Sequence, residues 1–173
     1  MENLRHWMDV VAGPTPMITE AVAPTGLVKA YHATSPGVRI DKIIPFMHLG
    51  TLKAAQDRGK QWRSPSIYEF ELNVVKPLRC RDGHGAQHPV AGMIEWLETE
   101  LKLKYNVVDE LLMKCRADQE RGIPESLAGG RAIASVLRKR GYDFLWYENA
   151  IEDPGSISWM VIDPSHVRSL GII

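Results

Sequence analysis

Between Ser66 and Val75 the chain alternates. Tyr68, Phe70, Leu72 and Val74 fall on one side, and Ile67, Glu69, Glu71 and Asn73 on the other. A period of two predicts a strand with one face in a core and one toward water. The strand stops at Pro77, before Asp82-Gly83. Three further strands are predicted at Leu27–His32, Phe144–Tyr147 and Ser158–Ile162, and a Pro164-containing turn then leads into Val167–Ile173.

The middle of the chain has another period. Met93 to Glu120 predicts two helices breaking near Asn106. Ser126 to Arg140 predicts another, with Ile133, Val136 and Leu137 on one side and Gly141 just past its end. Thr51 is an expected N-cap for a short helix through Leu52, Ala55 and Arg58, which stops at Gly59. Near the start, Leu4, Trp7, Met8 and Val11 predict a short helix ended by Gly13-Pro14. The division expected is an N-terminal helix and linker over residues 1–26 and one domain over 27–173. The fold class is α+β, with strands toward both ends and helices inserted mid-chain.

Composition narrows the partners. Lys plus Arg and Asp plus Glu each number 21, so the net charge is zero and no general attraction to nucleic acid or an anionic membrane follows. The first residues carry charges where a secretory leader would be apolar, and no run of about 18 apolar residues is present. Two cysteines, Cys80 and Cys115, form no disulfide framework by spacing. These features predict a cytoplasmic protein without a membrane segment.

Several residues invite chemistry. His32 ends a buried strand beside Thr34. His48 precedes Gly50-Thr51 at a helix start, a natural place for a diphosphate. The plain alternative is that both histidines are satisfied core or turn residues. His84 and His88 share i, i+4 spacing, but Gly83, Gly85 and Pro89 break any helix that would align them, so no metal site is expected. Glu69 and Glu71 fit a solvated strand face, and Glu98 and Glu100 a solvated helix. Glu148, Glu152 and Asp153 flank a Pro154-Gly155-Ser156 turn between two strands. A carboxylate there can orient a ribose hydroxyl or stabilise an oxocarbenium ion, or simply belong to an acidic loop.

As an ordered set these motifs resemble a family. Tyr31-His32-Ala33-Thr34 is similar to the His-Gly-Thr opening motif of ADP-ribosyltransferases of the diphtheria-toxin and poly(ADP-ribose) polymerase kind. His48-Leu49-Gly50-Thr51, with Ala54-Ala55 and Arg58, resembles their second motif. Lys76-Pro77-Leu78-Arg79 resembles a strand-ending signature. Gly141-Tyr142-Asp143, Tyr147-Glu148-Asn149, Glu152, Ser156 and Ser158-Trp159-Met160-Val161 resemble the terminal strand pair, as found in phage and mobile-element polyvalent proteins. Ala33 stands where the family has glycine, His48 where the polymerases have tyrosine, and Ser158 where they place the catalytic glutamate.

The resemblance implies a split β-sheet with a cleft for NAD, consumed as a substrate, and transfer of ADP-ribose to a macromolecular acceptor, protein before nucleic acid. It also admits NAD hydrolysis, an RNA-directed transfer, or a binding module without chemistry. Under it, Glu152, His48 and Ser158 form the catalytic set. Tyr31, His32, Thr34, Gly50, Thr51 and Tyr68 hold the dinucleotide. His32 takes a ribose hydroxyl, the backbone of Tyr31 or Ala33 reads the carboxamide, and Tyr68 or Tyr142 stacks on nicotinamide.

Overall fold

The computed structural model describes residues 24–80, 94, 97–98, 101–124 and 127–173. The expected N-terminal helix and the His84/His88 pair lie outside them. The elements run β1 (Gly26–Thr34), β2 (His48–Leu49), α1 (Leu52–Gly59), β3 (Ser66–Val74), β4 (Leu78–Arg79), α2 (Tyr105–Glu120), α3 (Gly130–Lys139), β5 (Phe144–Glu148), β6 (Ile157–Val161), a 3-10 turn at Pro164–His166 and β7 (Val167–Ile172). The class is α+β, as expected. Helix α3 starts later than its apolar pattern suggested. Gly129 precedes it in the left-handed conformation, and Asp118 of α2 accepts the Gly129 N–H at 2.9 Å.

The strands form two sheets. The first has the order β1-β3-β7 and is antiparallel throughout. The second has the order β2-β6-β5-β4 and is mixed, because β4 pairs with β5 in parallel. The two-residue strands β2 and β4 escaped the sequence pattern because no period shows over so short a stretch.

Burial explains the strand patterns. Phe70, Leu72 and Val74 of β3 pack with Phe144, Trp146, Trp159 and Val161 between the sheets. On its other face the second sheet presents Leu145, Tyr147 and Met160 to Leu111 of α2 and Ile133 and Leu137 of α3. Strand β5 is thus covered on both faces, and its run Phe144–Tyr147 is buried without alternation. Helical residues Ile94 and Leu97 join the same helical layer. The acids on the open face of the first sheet are ion-paired: Glu69 with Lys29 at 2.7 Å and Glu71 with Arg168 at 2.8 Å.

Two joints hold the sheets together. At one, Tyr31 and Gly50 exchange both backbone hydrogen bonds, at 2.8 and 2.9 Å. At the other, the buried Asp143 carboxylate accepts the backbone N–H groups of Val75, Lys76 and Phe144. The Asp143 carbonyl also accepts from Ile162 and Asp163. A cleft opens beside the first joint, lined by residues of both sheets. Among the described residues no helix is long and apolar enough to cross a membrane.

Candidate active site

The cleft has a volume of about 650 Å³. That falls within the range of small-molecule and cofactor sites, roughly 300–1,000 Å³. The end of β1 supplies His32, Ala33 and Thr34, and the start of β2 supplies His48. Helix α1 contributes Ala54, Ala55 and Arg58. Tyr147, Asn149, Glu152 and Ser158 come from the β5–β6 hairpin. The opposite wall is the segment from Val38 to Met47. It turns back onto the second sheet at Phe46, a non-glycine residue at φ 66° whose N–H reaches the Val161 carbonyl at 2.7 Å. Such a conformation costs about 1–3 kcal/mol and persists only where the surroundings enforce it. Here the Phe46 ring is buried against Gly130.

His32 Nδ1 lies 2.7 Å from the His48 carbonyl oxygen. A carbonyl only accepts, so Nδ1 carries the proton, and Nε2 of the neutral ring is left as an acceptor. Burial holds the ring below its ordinary value of 6.5, and the positive charge of Arg58 pushes the same way; the bond to the carbonyl opposes both. The His48 ring meets the Tyr147 hydroxyl at 2.9 Å, joining residues 99 apart in the chain.

The backbone of β1 resolves one expected ambiguity. Both peptide groups of Tyr31 are bonded to Gly50, so Tyr31 cannot read a carboxamide. Peptide groups in an antiparallel strand alternate in direction. Ala33, two residues on, therefore presents its N–H and C=O on the same side as Tyr31, away from β3, where Ala33 lines the cleft.

Glu152 lines the cleft together with His32 and His48, about a fifth exposed, with Arg58 at 3.7 Å. Asn149, outside the expected site, shapes this hairpin. Its Oδ1 accepts the N–H groups of Ile151 and Glu152 at 2.9 and 3.0 Å, and its Nδ2 donates to Ser158 Oγ at 3.0 Å. An Asn followed within a few residues by Asp-Pro-Gly is a turn signal that could have marked it. Tyr147 and Arg58 belong to the family-like motifs but carry no local sign of a role. One sits in an apolar strand and the other on a short helix, and neither context reveals a cleft. Glu148 is exposed and does not line the cleft.

Other expected site residues sit elsewhere or have other tasks. Tyr68 does not line the cleft. It is buried between the sheets, and its hydroxyl ties down the opposite wall by donating to the Val38 carbonyl at 3.2 Å and accepting from Ile40 N–H at 3.3 Å. Tyr142 packs under Lys76 and away from the cleft. Thr51 caps α1 by accepting from Ala54 N–H at 3.0 Å. Its hydroxyl donates to Asp153 at 2.6 Å. The chain's own carboxylate therefore stands at the helix start where a diphosphate was expected. Thr34 lines the cleft but its hydroxyl donates to backbone carbonyls, Val38 at 3.3 Å and Ser66 at 3.4 Å. Gly50 also lines it, where a Cβ would come within 3.2 Å of Ser158 Oγ. Ser158 is buried at the floor. No cluster of three metal-binding side chains occurs among the described residues.

No protein-family model and no curated protein matches the sequence significantly. A solved structure, described as that of an anti-CRISPR protein, is similar over 86% of this chain and 100% of its own, at 12% identity and a TM-score of 0.37. A likeness that loose indicates neither a shared activity nor an ADP-ribosyltransferase fold.

Proposed function

We propose that the cleft binds NAD and that the chain is a cytoplasmic ADP-ribosyltransferase, which cleaves the nicotinamide–ribosyl bond and passes ADP-ribose to a macromolecular acceptor. One observation carries the reading. His32, Ala33, His48, Tyr147 and Glu152, far apart in sequence, line a single cleft at the joint between two sheets. Two sheets joined at Tyr31 and Gly50 also favour an ADP-ribosyltransferase-like split-sheet core.

The groups suit the chemistry. The Ala33 N–H and C=O complement the oxygen and NH2 of a carboxamide. The acceptor nitrogen of neutral His32 suits a ribose hydroxyl. When the bond from C1′ to the ring nitrogen breaks, its electron pair goes to nicotinamide and neutralises the ring. Positive charge is left on the ribose. In this reading the Glu152 carboxylate stabilises that charge and then takes the proton of the attacking nucleophile. The His48–Tyr147 pair lines the ribose end.

The test is incubation of the protein with labelled NAD and cell lysate, with free nicotinamide and labelled macromolecule both measured, alongside melting curves with NAD. A ligand at 100 times its Kd stabilises by about 2.7 kcal/mol, well within detection. Nicotinamide release with a labelled acceptor is expected. Release without label identifies a hydrolase. Neither a thermal shift nor release with NAD would overturn the proposal.

A further inference from the structure

We infer that Arg58 is the anion anchor of the cleft, and that a phosphate or diphosphate on the ligand releases Glu152 by drawing Arg58 away from it. For its ligand the inference rests on the NAD reading of the site. The start of α1, the usual place for a phosphate, is held by Asp153, which takes the Thr51 hydroxyl and lies 3.2 Å from Lys53. A phosphate there would face a carboxylate. Lys53 and Lys60, close by, are bonded to Asp57, and Arg39 and Lys42 belong to the opposite wall of the cleft.

Arg58 differs from all four in standing beside Glu152. It lines the cleft, its side chain is about half exposed, and it stands 3.7 Å from Glu152 Oε1. At that separation the charges attract, but no hydrogen bond forms. The guanidinium keeps its fork of donors for a better partner. A diphosphate offers oxygens in matching geometry and two negative charges where a carboxylate carries one. Arg58 is also close enough to His32 for its charge to act on that ring, so an anion held by Arg58 would sit next to the ribose position. Glu152 and the phosphate then compete for one cation. When the phosphate wins, the carboxylate is free to face the ribose carbon. Binding of the ligand's phosphates and readiness of the acid become coupled.

The test is calorimetric titration of the full chain with ADP-ribose, which carries the diphosphate, and with nicotinamide riboside, which carries none. Wild type, Arg58→Gln, Arg58→Lys and Glu152→Gln are compared, with circular dichroism as the check on folding. Arg58→Gln should weaken ADP-ribose by about tenfold or more, the loss of a charged hydrogen-bond partner, and leave nicotinamide riboside within about twofold. Arg58→Lys should fall between, keeping the charge without the fork. Glu152→Gln should tighten ADP-ribose, because the competing anion is gone. Unchanged ADP-ribose affinity in folded Arg58→Gln, or equal weakening of both ligands, overturns the anchor. Weaker ADP-ribose binding in Glu152→Gln overturns the release. If wild type binds neither ligand, the NAD reading falls and this inference with it. If wild type binds both and Arg58→Gln matches it, the inference alone falls.

Discussion

Replacing Asn149 by alanine removes three hydrogen bonds at once from a residue only 4% exposed. Each contributes a net ~0.5–1.5 kcal/mol, so the three together are worth about 1.5–4.5 kcal/mol. Two considerations narrow this. Ser158 Oγ, in a residue 3% exposed, would lose its donor, which argues against the lower end. The hairpin keeps its backbone bonds, Asn149 N–H to the Ser156 carbonyl at 2.7 Å and Gly155 N–H to the Asn149 carbonyl at 2.9 Å, which argues against the upper end. We expect Asn149→Ala to destabilise by about 2–3 kcal/mol, measured by urea unfolding followed by far-UV circular dichroism. Asn149→Asp keeps the acceptor for Ile151 and Glu152, and the Ser158 hydroxyl can turn to donate, so it should recover part of the loss. Under the proposed function, Asn149 is a positioning residue for Glu152. Nicotinamide release in Asn149→Ala should then lose kcat while KM for NAD stays near wild type, and Asn149→Asp should restore part of kcat. A loss of stability under about 1 kcal/mol, together with unchanged kcat, would refute the reasoning.

Three further outcomes are expected. Gly50→Ala would place its Cβ 3.1 Å from Ala54 Cβ and 3.2 Å from Ser158 Oγ, so it should destabilise by about 1–3 kcal/mol; an unchanged melting temperature would mean that the joint between the sheets has slack. Asp143→Ala strips the acceptor from three backbone amides at the second joint and should cost at least about 3 kcal/mol in the same unfolding assay. His32, held below 6.5 by burial and by Arg58, takes up its proton more readily in the unfolded chain, so its contribution to stability is full above about 6.5 and declines as the pH falls below it. Comparing unfolding at pH 7.5 and 5.5 (about two units apart) should show a smaller pH dependence in His32→Gln than in wild type; identical slopes would refute a neutral, half-buried His32.

The sequence by itself determined the elements that obey a period or a cap. Strand β3 was legible because one of its faces is buried, and α1 because Thr51 caps it and Gly59 closes it. The end of α3 was legible because Gly141 takes the left-handed conformation, at φ 82°. Periodicity records only which side of a segment meets the core. It carries nothing about which edge meets which, or about partners distant along the chain. That two sheets meet at Tyr31 and Gly50 was therefore invisible. So was the loss of the Tyr31 peptide groups to that joint, which leaves Ala33 facing the cleft. Tyr68 and Tyr147 are both buried tyrosines in strands, and nothing local separates the one that braces a wall from the one that bonds His48. Asp153 fills the start of α1 only because the β5–β6 hairpin folds over it from 102 residues away. Hydrogen bonds and ion pairs decay over a few ångströms, so the site exists only once tertiary packing has set those distances.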